Sequence, residues 1–176
     1  MAYFRTPILI AALALLPVGV QAQTPTPERP CAATAAPLPP ELAGWQHRSP
    51  MTAASNVGGL GAAGISPGAG VDLSLPATPD IAYAIRSEHP GGSVSHGGMV
   101  GFAVTVAGMY RVAIGSAAWI DLVRDGQIVE SSAHAMGPHC SGIHKMVDFS
   151  LTPGRYVLQI AGNGASQLPL LVTRLP

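Results

Sequence analysis

Charged residues are scarce in this sequence. Of its 176 residues, 9 are Lys or Arg and 9 are Asp or Glu, so the charged fraction is 10%, against roughly 25% in average soluble domains. Such a chain has no basic patch to displace the counterions of a nucleic acid, and it contains no charged run that would bind an anionic membrane. Nucleic acid is therefore excluded as a partner, and long helices covered with ion pairs are not expected.

Long apolar segments are lacking beyond the N-terminus. Arg5, an apolar segment over residues 8–20 and small residues up to Ala22 form the three regions of a secretory signal peptide. The apolar segment is shorter than the roughly 20 residues needed to cross a bilayer, which favours cleavage over anchoring. We expect a signal peptide over residues 1–22 and a periplasmic or secreted mature protein with no transmembrane anchor.

Proline and glycine, by contrast, are abundant, with 17 and 21 residues. Pro, Ala and Thr dominate residues 23–40, a composition that favours extended backbone. Six glycines lie within residues 51–70, where they leave few side chains to pack a regular element. We expect a tether and coil over residues 23–70, with Leu42 and Trp45 docking on the folded domain.

Apolar residues alternate with small or polar residues over 71–176, which is the period of strands with one buried face. Turn signals such as Asp125-Gly126 separate the alternating segments. The pattern predicts an all-β domain over 71–176, an antiparallel β-sandwich of which the jelly roll is one form, preceded by an extended Pro/Gly-rich N-terminal arm. The expected strands are 71–75, 81–85, 100–106, 110–114, 119–124, 128–129, 147–151, 156–160 and 168–175.

The chain has only two cysteines, Cys31 in the Pro-rich segment and Cys140 in a polar loop. An oxidising compartment favours their pairing. Closing a loop of about 110 residues would stabilise the fold by about 4.7 kcal/mol in the chain-entropy model, less any strain. The sequence thus predicts a Cys31–Cys140 disulfide that pins the tether across the sandwich; two free thiols, or a metal-bound Cys140, are the alternatives.

Potential metal ligands concentrate in residues 134–146, which contain three imidazoles, two thioethers and a thiol. Imidazole with sulfur suits copper, and imidazoles alone suit zinc or iron. The spacing matches no known metal motif, so partly exposed loop histidines without a metal are the alternative. The candidate ligands are His134, Met136, His139 and His144.

Glu88, His89 and His96 form a second group, with the residue types of a two-histidine, one-carboxylate iron site. Iron oxygenases of the cupin type place their two histidines one residue apart on a strand, and that spacing is absent here. A Gly-rich hairpin with incidental histidines is the alternative. An oxygenase site would require His89 and His96 to meet the histidines of residues 134–146 around an open pocket.

Other catalytic motifs are missing. The sequence has no nucleophile elbow, no phosphate-binding loop and no His-Glu-x-x-His zinc motif. No pair of carboxylates is marked out for glycoside hydrolysis. Trp45 and Trp119 are candidates for a platform on which a sugar stacks, although a position in the core is the stronger expectation for Trp119.

Three segments carry a resemblance to known proteins: AWIDLVRDG at 118–126, GPHCSGIHKMVDF at 137–149 and PGRYVLQIAGN at 153–163. With the signal peptide and LPPELAG at 38–44, they resemble small exported bacterial proteins that carry the name homogentisate 1,2-dioxygenase. The name implies a non-haem iron dioxygenase; enzymes of that name are much longer intracellular cupins whose iron is held by two histidines and a glutamate, and this chain has neither their length nor their motif. The second half also resembles, in a general way, sandwich modules attached to secreted hydrolases.

Together these features predict an exported binding or structural module of the bacterial envelope. Its ligand would be a carbohydrate, another envelope protein or a metal ion. A dioxygenase-like protein and a periplasmic copper-binding protein are the alternatives. Any cofactor would be copper, iron or zinc, and any enzymatic activity would be that of a metal-dependent dioxygenase.

Overall fold

The computed structural model describes Cys31 and residues 37–176. The predicted signal peptide of residues 1–22 lies outside the described residues, as do 23–30 and 32–36 of the predicted tether. Among the described residues, none of the helices has both the length and the hydrophobicity of a membrane-spanning segment.

Strands make up most of the regular structure in the described residues, with three short 3-10 helices near the N-terminal end. The helices are η1 (Pro40–Gln46), η2 (Val57–Gly61) and η3 (Thr78–Asp80). The strands are β1 (Arg48–Thr52), β2 (Gly64–Ile65), β3 (Gly70–Ser74), β4 (His96–Val104), β5 (Gly108–Ile114), β6 (Trp119–Arg124), β7 (Gln127–Val129), β8 (Ala133–Ala135), β9 (Lys145–Leu151), β10 (Gly154–Asn163) and β11 (Gln167–Arg174).

The strands form two sheets that pack face to face, which confirms the predicted β-sandwich. One sheet has six strands in the order β1-β3-β11-β5-β9-β8, and the other has five in the order β2-β4-β10-β6-β7. Most neighbours are antiparallel, as expected, but the edge pairs β1–β3 and β2–β4 are parallel, so both sheets are mixed. The jelly-roll form stays a prediction.

Alternation along each strand divides the apolar residues between the inside and the outside of the sandwich. On β10, for example, Leu158 and Ile160 lie in the main core, while Gln159 between them belongs to the outer face of the five-stranded sheet and is still fully buried. Each fully buried Leu or Ile contributes roughly 1.5–3 kcal/mol through the hydrophobic effect. The outer face of the five-stranded sheet is therefore covered by another part of the chain at this position. The segments that cover the outer faces determine which parts of the two sheets remain exposed to solvent.

The outer face of the six-stranded sheet is covered by η1. Leu42 and Trp45 pack there against Ile143 and Met146, which confirms that both residues dock on the domain. The structure differs, however, from a coil over 51–70, since β1 and β2 pair with strands of the two sheets. Both are edge strands, and β1 is almost wholly exposed. Because β1 is defined by backbone pairing and not by alternation of apolar residues, the sequence pattern did not predict it.

The predicted strand at 81–85 is wrong. These residues follow η3 and lie across the outer face of the five-stranded sheet without joining a ladder. Their backbone groups bond elsewhere: Ala82 N–H donates to Ser55 O at 2.8 Å, and Ile85 N–H donates to Gln159 Oε1 at 2.9 Å. Alternate side chains still face the sheet, which explains why the segment has the period of a strand.

Candidate functional site

Trp119 begins β6, and its side chain is 37% exposed. The expectation that it lies in the core is therefore wrong; Trp45, at 3% exposure, is the buried tryptophan. Within the described ranges, 31 and 37–176, Trp119 is the only aromatic residue among the exposed large hydrophobic side chains. Exposure of an indole on a domain with so few aromatic residues makes this position the first candidate for a binding site.

The indole of Trp119 is held by Asp121. Residues two apart on a strand share a face, and the Trp119 Nε1–H donates to Asp121 Oδ1 at 2.7 Å. Asp121 is itself buried, and its Oδ2 has no hydrogen-bond partner among the described residues. Its charge also acts on Tyr83: burial first, and Asp121 second, raise the pKa of Tyr83 to about 12. Asp121 thus fixes the orientation of the indole by accepting its N–H.

Two further side chains contact the indole from different parts of the fold. The His89 ring, from the loop after residues 81–85, lies 4.1 Å from the Trp119 ring between centroids, with the planes tilted by 55°. Lys145 at the start of β9, in the opposite sheet, has its Nζ 5.6 Å from the indole centroid. Such a cation–π contact contributes about 0.5–1 kcal/mol at an exposed position. Three separate elements therefore meet at Trp119.

Two clefts meet at Trp119 and Lys145, which line both. The first, of about 360 Å³, opens between the sheets at the β7–β8 edge and has Glu130 and His134 in its wall. The second, a shallower depression of about 510 Å³, has His89 and His144 in its wall. Aromatic and apolar walls with a few polar groups are typical of small-ligand sites, and the two clefts form one surface across the indole.

The predicted metal ligands of residues 134–146 lie in different places. His134 is on β8 at the first cleft, His144 is at the second, and Met136 is exposed between them in sequence. Across the described residues, one group of three His, Cys, Asp or Glu side chains has ligand atoms within 4.8 Å of one another, and it comprises Cys31, His139 and Cys140. Of the four predicted ligands, that group contains only His139.

The second predicted group is spread out in a similar way. Glu88 is exposed, His89 packs on Trp119, and His96 lies on β4 with a buried Nδ1 that has no hydrogen-bond partner among the described residues. None of the three belongs to the described group of potential metal ligands. The iron and copper hypotheses stay predictions, without an assembled ligand set among the residues that the structure describes.

The Cys31–Cys140 disulfide is present, which confirms the pairing predicted from the sequence. It joins the N-terminal arm to the loop before β9, across 109 residues of chain. The loop is held next to it by the Trp45 Nε1–H, which donates to Ser141 O at 3.0 Å. The bridge therefore lies on the η1 side of the six-stranded sheet, together with Trp45 and not with Trp119.

No family model matches this chain, and no curated protein matches it in sequence. The resemblance to small exported proteins with a dioxygenase name stays a prediction. The function must therefore be inferred from the geometry of the site.

Asp121, Glu130 and Lys145 are the site residues that the sequence analysis did not single out. The Trp-x-Asp spacing on a predicted strand is a usable signal for Asp121, because positions i and i+2 share a face. No sequence pattern near Lys145 predicts its place in the site. Lys145 belongs to the opposite sheet, and the packing of the two sheets brings it to the indole.

Proposed function

We propose that this protein is an exported carbohydrate-binding module and that the Trp119 surface, with the two clefts beside it, is the binding site. The observation that carries the proposal is an exposed indole fixed by a buried carboxylate and flanked by His89 and Lys145. The C–H faces of a sugar ring stack on an indole, and its hydroxyl groups bond to polar side chains at the rim. A rigid aromatic residue with few rotatable bonds loses little entropy on binding such a ring.

The polar groups around Trp119 suit hydroxyl groups on both sides. Lys145 donates hydrogen bonds, Glu130 accepts them, and the imidazoles of His134 and His144 can do either. The two clefts share Trp119 and Lys145 in their walls, so the ligand proposed is an oligosaccharide that occupies both clefts with one ring at Trp119. The ligand class proposed is therefore a polysaccharide chain.

A binding role accounts for Asp121 better than a catalytic one. One oxygen of this carboxylate accepts the indole N–H, and the other is enclosed. A general acid or base must come within hydrogen-bond reach of the bond that reacts. Asp121 instead keeps the indole in one orientation, as a positioning residue does.

The proposal is tested with protein purified after export, by affinity electrophoresis in gels that contain soluble xylan, mannan, mixed-linkage glucan, pectin or alginate. We expect retardation by at least one polysaccharide, and loss of that retardation in Trp119→Ala. The matched control is Val106→Ala, which truncates another exposed apolar side chain outside both clefts. Retardation by none of the five polysaccharides, or equal retardation of Trp119→Ala and the parent protein, would contradict the proposal.

Fluorescence provides a second measurement, because the chain has only two tryptophans. A sugar stacked on the indole should change the emission of Trp119 and leave that of buried Trp45 unchanged. Titration with an oligosaccharide of the retarding polysaccharide should therefore change the emission of the parent protein. The same titration of Trp119→Phe should give no change, whereas a change of equal size would show that the ligand binds elsewhere.

A further inference from the structure

Two sulfur atoms and an imidazole converge where the N-terminal arm meets the loop before β9. The Sγ atoms of Cys31 and Cys140 and a ring nitrogen of His139 all lie within 4.8 Å of one another, and His139 Nδ1 is 2.8 Å from Cys140 Sγ. Cys31 and His139 are exposed, and Cys140 is half-buried. We propose that reduction of the Cys31–Cys140 disulfide creates, together with His139, a binding site for one Zn²⁺ or Cu⁺ ion. This site is separate from the Trp119 surface and does not depend on it.

The chemistry requires a reductant, and a dithiol protein or small-molecule dithiol supplies it. The reductant transfers two electrons and two protons to the S–S bond, becomes a disulfide itself, and leaves two thiols at Cys31 and Cys140. Binding of the cation then replaces both thiol protons, because thiolates are the ligands. The oxidised protein has no thiolate to offer, so the site exists only in the reduced state.

Two of the three ligands are held in place without the disulfide. The loop around Cys140 is fixed by Trp45 Nε1–H, which donates to Ser141 O, and by His144 N–H, which donates to Ile114 O at 2.8 Å. Ile143 in the same loop is buried against Trp45. Reduction breaks none of these contacts, so His139 and Cys140 should keep their positions.

The third ligand stays close after reduction. Leu38 packs against the cluster of Trp45 and Ile143, and it is only seven positions after Cys31 in the sequence. A chain of that length spans at most about 25 Å, so the Cys31 thiol is confined near the loop at an effective concentration on the order of millimolar. A bound cation would then hold the arm on the sandwich in place of the disulfide.

The ligand set selects the type of cation. Two thiolates and one imidazole are soft or borderline ligands that favour Cu⁺ and Zn²⁺ over Mg²⁺ or Ca²⁺, which prefer oxygen. The described group contains no carboxylate. Three protein ligands satisfy a three-coordinate Cu⁺ and leave Zn²⁺ with one further position for water or an added ligand.

The test starts from the exported protein reduced with a phosphine; as the disulfide opens, one water supplies the oxygen of the phosphine oxide and the protons of the two thiols. After anaerobic removal of the phosphine, Zn²⁺ and Cu⁺ are titrated against chromophoric chelators, and Co²⁺ is added to detect thiolate-to-cobalt charge transfer. We expect the reduced protein to bind one equivalent of Zn²⁺ or Cu⁺ and the oxidised protein to bind neither cation at this position. Cys31→Ser and Cys140→Ser should abolish the binding and the cobalt bands, and His139→Ala should weaken affinity at least tenfold.

His47→Ala is the matched control, since it removes another exposed imidazole, just after η1, that lies outside the group and outside both clefts. Its affinity should equal that of the parent protein. The Cys31→Ala/Cys140→Ala double variant shows by circular dichroism whether the fold persists without the bridge. The proposal is overturned if the reduced protein binds neither cation at micromolar concentration, if it unfolds, or if Cys31→Ser or His139→Ala binds as tightly as the parent protein.

Discussion

The Trp119 Nε1–H donates to Asp121 Oδ1 at 2.7 Å, and the two residues stand on the same face of β6. Asp121 is buried, so the carboxylate is fixed and fixes the indole in turn. This relationship connects the interior of the five-stranded sheet with the exposed surface that we propose binds a polysaccharide.

Asp121→Ala should free the indole and weaken polysaccharide binding by up to about tenfold, because ordering a freed side chain on binding costs about 0.5–1.5 kcal/mol. Asp121→Asn keeps an acceptor at the same position and should retain most of the affinity. Fluorescence anisotropy of Trp119 should fall in Asp121→Ala and not in Asp121→Asn, a readout that a general loss of stability would not reproduce. Equal affinity of both variants would argue against the positioning role.

The Tyr83 hydroxyl should lose its proton at a higher pH than an ordinary tyrosine does. Burial, assisted by the charge of Asp121, raises the pKa of Tyr83 to about 12, against an ordinary value near 10. Between pH 10 and 12 the tyrosine ionises in the unfolded chain while it stays protonated in the folded protein. The contribution of Tyr83 to the free energy of unfolding is therefore complete below pH 10 and is lost as the pH rises from 10 to 12. Urea unfolding between pH 9 and 12 should show a shallower loss of stability in Tyr83→Phe. Difference absorbance of the phenolate against the same variant gives the pKa, and a value near 10 would be inconsistent with the packing.

Gly97→Ala should destabilise the fold by about 1–3 kcal/mol, the range typical of overpacking. A methyl group there would lie 2.2 Å from the Tyr83 hydroxyl and 2.4 Å from Ile160 O. The same tyrosine donates its hydroxyl proton to Ile160 O at 2.9 Å, so the added group would separate a bonded pair. Gly61→Ala is the matched control, because nothing lies within 4 Å of its Cβ position; its urea midpoint should change little.

Arg111 and Asp148 form a two-pronged ion pair across β5 and β9, with N–O distances of 2.7 and 2.8 Å. The hydrogen bond to Asp148 raises the pKa of Arg111. Both side chains are largely shielded, so Asp148→Ala leaves an uncompensated cation and should cost about 3 kcal/mol. Asp72→Ala breaks the exposed pair with Arg48 and should cost less than about 1 kcal/mol. If Asp148→Ala and Asp72→Ala lowered the unfolding free energy by similar amounts, the expected difference between the shielded and the exposed ion pair would be contradicted.

Reduction of the Cys31–Cys140 bridge should lower the unfolding free energy by about 2–4 kcal/mol, because the unfolded chain regains the entropy of an open loop. The strands should persist, since the main core of the sandwich does not include either cysteine. Urea midpoints of the oxidised and reduced proteins measure the effect, with Zn²⁺ and Cu⁺ excluded by a chelator. A midpoint that does not move would show that the arm contributes nothing to stability.

The strands that the sequence predicted correctly are those in which local pattern and burial agree. In β10, Tyr156, Leu158 and Ile160 alternate toward the core. The turn after β6 was equally predictable, because Asp125 and Gly126 both have positive φ, 50° and 73°, as a tight hairpin requires. At residues 81–85 the same alternation produced a wrong strand, since an extended segment that covers a sheet buries every second residue just as a paired strand does.

The edge strands β1 and β8 were not predictable in this way. Their residues are exposed, and pairing through the backbone leaves no trace in the order of apolar and polar side chains. The disulfide was predictable because a chain with two cysteines has only one possible internal pair. The choice among metal ligands was not, because distances between histidines of a loop depend on the path of that loop.

The sequence by itself determined the class of fold, the turns and the pair of cysteines, since alternation, turn residues and cysteine number are local or countable properties. Only the tertiary structure decided which tryptophan is exposed. Trp45 lies in a segment that reads as coil and is buried because η1 covers a sheet, whereas Trp119 begins a strand and is exposed at its end. The approach of His89 and Lys145 to that indole was decided in the same way, because they come from different elements that only the packing of the sandwich brings together.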